Sequence, residues 1–153
     1  MAINAISKFI TLDIYNHDTT PETIKAIAAD NGTRYVIAEI QNEGVWYDIG
    51  SDSEVELTIL RPDKVGVQIT GQPYPFTYQT GGDIDPVTGD ETPTVTETYY
   101  GAYAEMDQDA LAISGILQAQ FKITNGTQIL RTEIFKINNG RALDTETDEW
   151  AGD

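Results

Sequence analysis

The sequence of 153 residues predicts an all-β domain, built as a sandwich or a barrel. In most segments, apolar and polar residues alternate with the two-residue period of a strand that has one buried face. Clusters of Gly, Asn, Asp and Pro separate these segments at short intervals. No segment has the strand–helix–strand pattern of a parallel sheet, so we expect antiparallel strands.

The clearest element is a hairpin centred on Asn125-Gly126. Apolar residues occupy every second position from Leu117 to Ile123, and mostly polar residues fill the positions between them. Asn-Gly supplies the positive φ angles that a tight hairpin turn requires. The return run, residues 128–137, mixes the two parities. That mixture predicts either a β-bulge or burial on both faces.

Further strands follow from the same alternation, and one segment stays ambiguous. Thr20-Pro21-Glu22 resembles a helix start, so residues 23–28 fit a short helix. The same residues also fit a short strand, which the turn Asp30-Asn31-Gly32 would close. The other predicted elements are strands at residues 9–14, 35–41, 45–49, 54–59, 65–70 and 95–106, and a turn or single helical turn at residues 107–112.

The stretch from Gly71 to Thr94 differs in composition, because it is polar and contains many glycine and proline residues. We expect a long exposed loop or hairpin insertion here, around a short strand at residues 76–79. Asn138-Asn139-Gly140 predicts a turn after the last strand. The chain then divides into one domain, residues 1–143, and an acidic tail or start of a linker, residues 144–153.

The charge and the composition of the chain disfavour several classes of function. Asp and Glu number 25 against nine Lys and Arg, which gives a formal net charge of −16. This balance disfavours binding to nucleic acid or to an anionic membrane. Cysteine is absent, which excludes disulfides and thiolate metal sites. Because no apolar run reaches the roughly 20 residues that span a bilayer and no signal-peptide pattern is present, we expect a soluble protein synthesised in a cytoplasm.

Candidate chemistry is sparse. His17 is the only histidine, and it stands in a polar turn without a nucleophile motif. Residues 83–91 gather four carboxylates around a glycine, a composition suited to calcium, but the spacing misses the EF-hand pattern. A solvated loop tip explains the same residues. The sequence therefore predicts no catalytic, cofactor-binding or metal-binding residues, and no enzyme.

A sugar-binding surface is the main alternative that the residues themselves suggest. Trp46, Tyr47, Tyr99, Tyr100 and Tyr103 fall in predicted strands. As an exposed row, their ring faces would stack on a cell-wall glycan, as in a carbohydrate-binding β-sandwich module. Aromatic residues in strands more often pack in the core or against cross-strand neighbours.

Several segments also share an order and texture with a known family. They are Asp30-Asn31-Gly32-Thr33-Arg34-Tyr35, Asn42-Glu43-Gly44, Tyr47-Asp48-Ile49, Leu60-Arg61-Pro62-Asp63-Lys64, Met106, Gly115, the run from Leu117 to Ile123, and the run from Ile129 to Ile137. This arrangement resembles the N-terminal domain of the baseplate upper protein (BppU) family of tailed phages that infect Gram-positive bacteria. The resemblance covers most of residues 8–143.

The resemblance implies an antiparallel immunoglobulin-like β-sandwich that docks onto the tail baseplate and links the tail tip to receptor-binding components. It implies a virion protein whose partners are other tail and baseplate proteins, present as a homo-oligomer in the particle. It favours the strand alternative for residues 23–28 and contributes no catalytic residues. Two departures stand out. Residues 71–94 look longer and richer in Pro and Gly than the family's usual connection, and no receptor-binding portion follows Asp153, which suggests an N-terminal fragment.

Overall fold

The computed structural model describes residues 4–14 and 22–143. These residues form strands and turns without a helix, so the all-β prediction is confirmed, and nothing among them has the helical length and apolarity to cross a membrane. His17 and the predicted tail, residues 144–153, lie outside the described residues. The strands are β1 (Ile6–Asp13), β2 (Ile24–Ile27), β3 (Arg34–Asn42), β4 (Val45–Trp46), β5 (Glu54–Leu60), β6 (Gly66–Thr80), β7 (Val95–Glu105), β8 (Gly115–Asn125), β9 (Gln128–Arg131) and β10 (Phe135–Gly140).

The strands form one continuous sheet in the order β1-β3-β7-β6-β5-β8-β10-β2, with β4 added to β3 and β9 added to β8. The long strand β6 joins two parts of this sheet, because residues 66–71 pair with β5 and residues 72–80 pair with β7. We call β1, β3, β4, β7 and residues 72–80 half-sheet A. Half-sheet B comprises β2, β5, β8, β9, β10 and residues 66–71.

Most strand pairs are antiparallel, as predicted, but two are parallel: β1 with β3, and β2 with β10. A parallel pair requires a crossover connection between its strands. In the sequence, β2 lies between β1 and β3 and belongs to the other half-sheet, so it provides that crossover. The expectation of a purely antiparallel sheet was wrong, because alternation along a strand carries no information about the direction of its neighbour.

Both half-sheets turn their inner faces toward one hydrophobic core. Leu12 and Val36 enter it from half-sheet A, and Leu57 enters it from half-sheet B; all three are fully buried. The stacked rings of Phe121 and Phe135, with centroids 6.0 Å apart, are its largest side chains. Each fully buried side chain of this kind contributes about 1.5–3 kcal/mol, so this core is the main source of stability.

The region from Gly71 to Thr94 is a hairpin, but its first strand is far longer than the four residues expected. β6 continues to Thr80 and includes Pro73 and Pro75. Both prolines pair with β7 on one side, and among the described residues no strand pairs with the other side of this part of β6. Proline is tolerated there because an edge position needs no N–H donor. The predicted short strand at residues 76–79 was therefore wrong in its length, because Pro73 and Pro75 do not end β6.

The hairpin of β8 and β9 forms where the sequence predicted it, with different turn residues. Asn125 still pairs with Gln128, so the two central residues are Gly126 and Thr127. Of these turn positions, Gly126 has a positive φ of 62°, whereas Asn125 keeps an ordinary strand conformation. Glycine at the first central position is typical of a type II′ turn. The tight turn is confirmed, but Asn125 is not part of its strained backbone.

The return strand is interrupted by a bulge, which confirms one of the two explanations for its mixed parity. Arg131 lies opposite Lys122, and Phe135 lies opposite Ala119. Four steps on one strand therefore match three on the other, and the extra residue falls within residues 132–134. The shift reverses the face of every residue beyond it. This is why apolar residues occupy both parities in the sequence.

Three shorter segments also differ from or confirm the predictions. Residues 23–28 contain strand β2, so the strand alternative is correct. β10 continues to Gly140, where we expected a turn. The buried Asn139 holds it there, because its Nδ2 donates to the carbonyl oxygens of Leu111 and Ile113 at 3.0 and 2.9 Å. These bonds also fix the turn at residues 107–112, which forms as predicted.

β4 is limited to Val45–Trp46, shorter than the predicted strand at residues 45–49. Beyond Trp46 the chain turns toward β7. The Asp48 carboxylate accepts a hydrogen bond from Tyr100 N at 2.9 Å, and Ile49 N donates to the Tyr100 carbonyl oxygen at 3.1 Å. Ile49 thereby enters the core instead of extending the strand.

Candidate interaction surface

Aromatic residues cover the outer face of half-sheet A. Along β7, Tyr100 packs against the core, whereas Tyr99 and Tyr103 occupy the positions that face outward. On β6, the outward positions are those of Tyr74, Phe76 and Tyr78, which lie opposite residues 101, 99 and 97 of β7. The strict two-residue period of both strands therefore collects rings on one side of the sheet.

Seven rings form a continuous chain of contacts, which we call the aromatic face: Phe9, Trp46, Tyr74, Phe76, Tyr78, Tyr99 and Tyr103. Trp46 stacks on Tyr99 with centroids 4.6 Å apart and planes inclined by 11°. Phe76 also stacks on Tyr99, at 5.4 Å and 16°. Phe9 meets Tyr74 edge-on at 6.1 Å. Each such pair contributes about 0.5–1.5 kcal/mol beyond its buried area, so the rings hold one another in place.

Gly101 makes this packing possible. A Cβ at this position would lie 2.7 Å from Phe76 Cε2 and would also collide with the Ala38 carbonyl oxygen. Phe76 therefore lies directly over the backbone of β7. The close approach requires a residue without a side chain.

The aromatic face is only partly covered by the rest of the protein. Tyr99 is 8% exposed, but Phe9 is 53% exposed and Trp46 is 49% exposed. Two open depressions adjoin the rings. One, of about 460 Å³, is lined by Ala5, Ser7, Tyr35, Ile37, Gln72, Pro73, Tyr74, Pro75 and Tyr103. The other, of about 500 Å³, is lined by Gly44, Val45, Trp46, Asp48, Tyr78, Thr98 and Tyr99.

Carboxylates lie among the rings and bind the tyrosine hydroxyls. Tyr99 Oη donates to Glu39 Oε2 at 3.2 Å, and Tyr35 Oη donates to Glu105 Oε1 at 3.4 Å. Burial, with the Glu39 carboxylate as the second cause, raises the pKa of Tyr99 to about 12. The negative charge of Glu105 is the main cause that raises the pKa of Tyr35. Both hydroxyls therefore remain protonated donors well above neutral pH.

The structure brings together only part of the aromatic set considered in the sequence. Trp46, Tyr99 and Tyr103 lie on the aromatic face, whereas Tyr100 points to the opposite side of β7. Tyr47 lines a separate depression of about 330 Å³ beside β8 and β9. These five rings do not form a single flat row.

Sequence reasoning missed the other members of the aromatic face. Tyr74, Phe76 and Tyr78 carry a clear signal, since they are aromatic residues at every second position. Pro73 and Pro75 obscured it, because they suggested a loop. Phe9 offered no such signal: it lies on the opposite parity from the residues that mark β1 as a strand.

The acidic segment at residues 83–91 forms the tip of the β6–β7 hairpin. One bridge pairs Ile84 with Glu91. Asp85 Oδ1 accepts hydrogen bonds from Val87 N at 2.8 Å and Thr88 N at 3.3 Å, and these bonds lower the pKa of Asp85. Within residues 4–14 and 22–143, no three Asp, Glu or His side chains converge as metal ligands would. In the described residues, the Asp85 carboxylate therefore stabilises the turn at the tip of this loop.

The described residues define a class of protein: an all-β domain whose most distinctive surface is an outward layer of aromatic rings. No family model matches the chain, and no curated protein matches its sequence. Among solved structures, the N-terminal domain of phage TP901-1 ORF48 has a similar fold, with a TM-score of 0.53. The two chains are 16% identical, and the likeness covers 88% of this chain and 98% of that one.

Proposed function

We propose that the chain is a structural domain of a phage or prophage tail baseplate, which docks onto other baseplate proteins and links the tail tip to receptor-binding components. The observation that carries this proposal is the likeness of fold to the N-terminal domain of phage TP901-1 ORF48, over 88% of this chain and 98% of that one. The sequence resemblance to the BppU family supports the same assignment on separate grounds, since it rests on the order of the segments.

The same proposal includes the type of β-sandwich, the place of synthesis and the location of the protein in the virion. The two half-sheets form an immunoglobulin-like β-sandwich. The protein is synthesised in the host cytoplasm and becomes part of the virion, where several copies contact tail proteins and neither nucleic acid nor membrane. Its role is assembly, without enzymatic activity. A rigid sheet surface suits this role, because repeated copies multiply individually weak contacts.

Mass spectrometry of purified tailed particles tests the proposal. Particles from a strain that carries the gene are banded in a density gradient and washed at high salt. We expect peptides of this chain at a constant ratio to the major tail proteins across the infective fractions. Infective particles that lack the chain would refute the assignment.

Carbohydrate binding is a second candidate, favoured by one observation. The depression of about 500 Å³ combines the half-exposed Trp46 and the partly buried Tyr78 with the polar groups of Asp48 and Thr98. A ring beside a few placed polar groups is typical of a sugar site. Calorimetric titration with cell-wall polysaccharide fragments tests it: binding that is lost in Trp46→Ala and kept in Tyr47→Ala would support it. No heat of binding at millimolar fragment would exclude it.

A further inference from the structure

The two outer faces of the sheet differ sharply in chemistry. Outward positions of half-sheet B carry polar residues such as Thr58, Gln68 and Gln118, with single aliphatic residues such as Ile116 and Ile129 between them. Among the described residues, outward aromatic rings belong to half-sheet A. The outer face of half-sheet B is therefore mostly polar, as expected of a solvent-exposed sheet face. Half-sheet A departs from that pattern and leaves Phe9 and Trp46 half exposed.

The charges on the aromatic face are of one sign. Glu39, Glu97 and Glu105 stand at its outward positions. No Lys or Arg occupies an outward position of the described strands of half-sheet A. Lys8 and Arg34, the two basic residues on these strands, have partners elsewhere: Lys8 pairs with Glu22 at 2.7 Å, and Arg34 pairs with Asp30 at 3.0 Å.

Four basic residues instead face outward on half-sheet B: Lys25, Lys122, Arg131 and Lys136. The outward basic residues of the described strands therefore lie on half-sheet B, together with carboxylates such as Glu54, whereas the outward charged residues of half-sheet A are all acidic. Rings and carboxylates together attract cations, since the face of a ring is electron-rich and the carboxylate supplies the counter-charge. A guanidinium suits such a surface better than an ammonium, because it is planar, stacks on rings and forms two parallel bonds to a carboxylate.

We propose that the aromatic face is the docking surface for a baseplate partner that presents arginine side chains. This inference rests on the proposed function and names the partner's chemistry. Charge complementarity selects the occupant: a chain of net charge −16 repels a second acidic copy and attracts a basic surface. Arginine side chains lie over Phe9 and Trp46 and pair with Glu97, whose carboxylate is exposed on this face.

Fluorescence of Trp46 measures the contact directly. The chain has two tryptophans, so Trp150→Phe leaves Trp46 as the only reporter. This variant is titrated with blocked hexa-arginine, hexa-lysine and hexa-glutamate peptides at 150 mM salt. We expect hexa-arginine to bind about fivefold tighter than hexa-lysine, because only the guanidinium stacks on rings, and hexa-glutamate to have no effect. Equal responses to arginine and lysine, or no response to either, would overturn the proposal.

Matched variants on the two faces separate a specific surface from general attraction to an acidic chain. Phe9→Ala and Glu97→Gln alter the aromatic face. Ile129→Ala and Glu54→Gln make the same kinds of change at exposed positions of half-sheet B. We expect each of the first two to weaken hexa-arginine binding about threefold or more, and the second two to change it little. Equal losses on both faces would overturn the proposal, and thermal melts confirm that each variant is folded.

Three further measurements test the proposed occupant against other occupants. Phages that encode Phe9→Ala with Glu97→Gln should incorporate less of this chain than phages that encode the half-sheet B controls. Normal incorporation would overturn the inference while the baseplate assignment stands, whereas absence of the unaltered chain from particles would remove the assignment itself. A dimer in sedimentation velocity that Phe9→Ala dissociates, or glycan binding that Phe9→Ala abolishes, would also overturn it.

Discussion

Gly101→Ala tests the packing on which the aromatic face depends. Gly101 lies on β7, between β3 and β6, and an added Cβ would collide with the Ala38 carbonyl oxygen and lie 2.7 Å from Phe76 Cε2. Overpacking of this kind costs about 1–3 kcal/mol, and the fixed backbone oxygen places this substitution at the upper end. The smaller flexibility of alanine in the unfolded chain offsets about 0.4–1 kcal/mol.

Gly101→Ala should therefore lower the free energy of unfolding by about 2–3 kcal/mol, which lowers the melting temperature by about 5–10 °C in a domain of this size. Calorimetry or circular dichroism measures the shift. In the Trp150→Phe background, Trp46 emission should also change, because Phe76 and Trp46 both stack on Tyr99.

Gly66→Ala is the matched control for this prediction. It adds the same methyl group to a glycine of β6, at a position where nothing lies within 4 Å of the new atom. Its melting temperature should stay the same or rise slightly. Equal melting temperatures for the two variants, with unchanged Trp46 emission, would refute the account of how Phe76 lies on β7.

Three other predictions concern single residues. Asn139→Ala removes the side-chain donor to the carbonyl oxygens of Leu111 and Ile113, although Leu111 O still accepts from Ala29 N, and should cost about 1–3 kcal/mol in urea unfolding. The exposed Asn138→Ala should cost under about 0.5 kcal/mol, and similar costs for the two variants would contradict the role of the Asn139 amide. Gly126→Ala forces alanine to a φ of 62° with open space around it, so strain alone should lower stability by about 1 kcal/mol, and a stabilised variant would contradict the turn geometry. The pKa of Tyr99 is about 12 when folded, against an ordinary value of 10.0, so its stabilising contribution is complete below pH 10 and is lost as the pH rises toward 12. Phenolate absorbance should show a titration step near pH 12 that Tyr99→Phe removes, and an unchanged titration curve in that variant would contradict the assignment.

Alternation predicted the strands well because the buried face of a half-buried strand must be apolar at every second position. It located β5, β7 and β8 within a residue or two of their observed bounds. The bulge at residues 132–134 was also visible, since an extra residue reverses parity. The direction of the strands could not be predicted from the sequence, because β1 and β3 would show the same alternation in a parallel or an antiparallel pair.

The aromatic face was harder to predict because both faces of half-sheet A are apolar. Tyr99 and Tyr100 are neighbours in the sequence and differ only in parity, yet one stacks under Trp46 and the other packs against the core. Parity alone does not say which side is the core when both sides carry rings. The position of Phe9 beside Phe76 depends on the pairing of β1 with β3, which brings together residues far apart in the sequence.

Cryo-electron microscopy of the intact tail would show whether this domain is part of the baseplate and docks through its aromatic face. We expect density at the tail tip that fits the described ten-stranded domain, with half-sheet A turned toward a neighbouring baseplate protein and arginine side chains over Phe9 and Trp46. A baseplate whose density is fully explained by other proteins would contradict the function. A placement with the aromatic face open to solvent would contradict the docking surface.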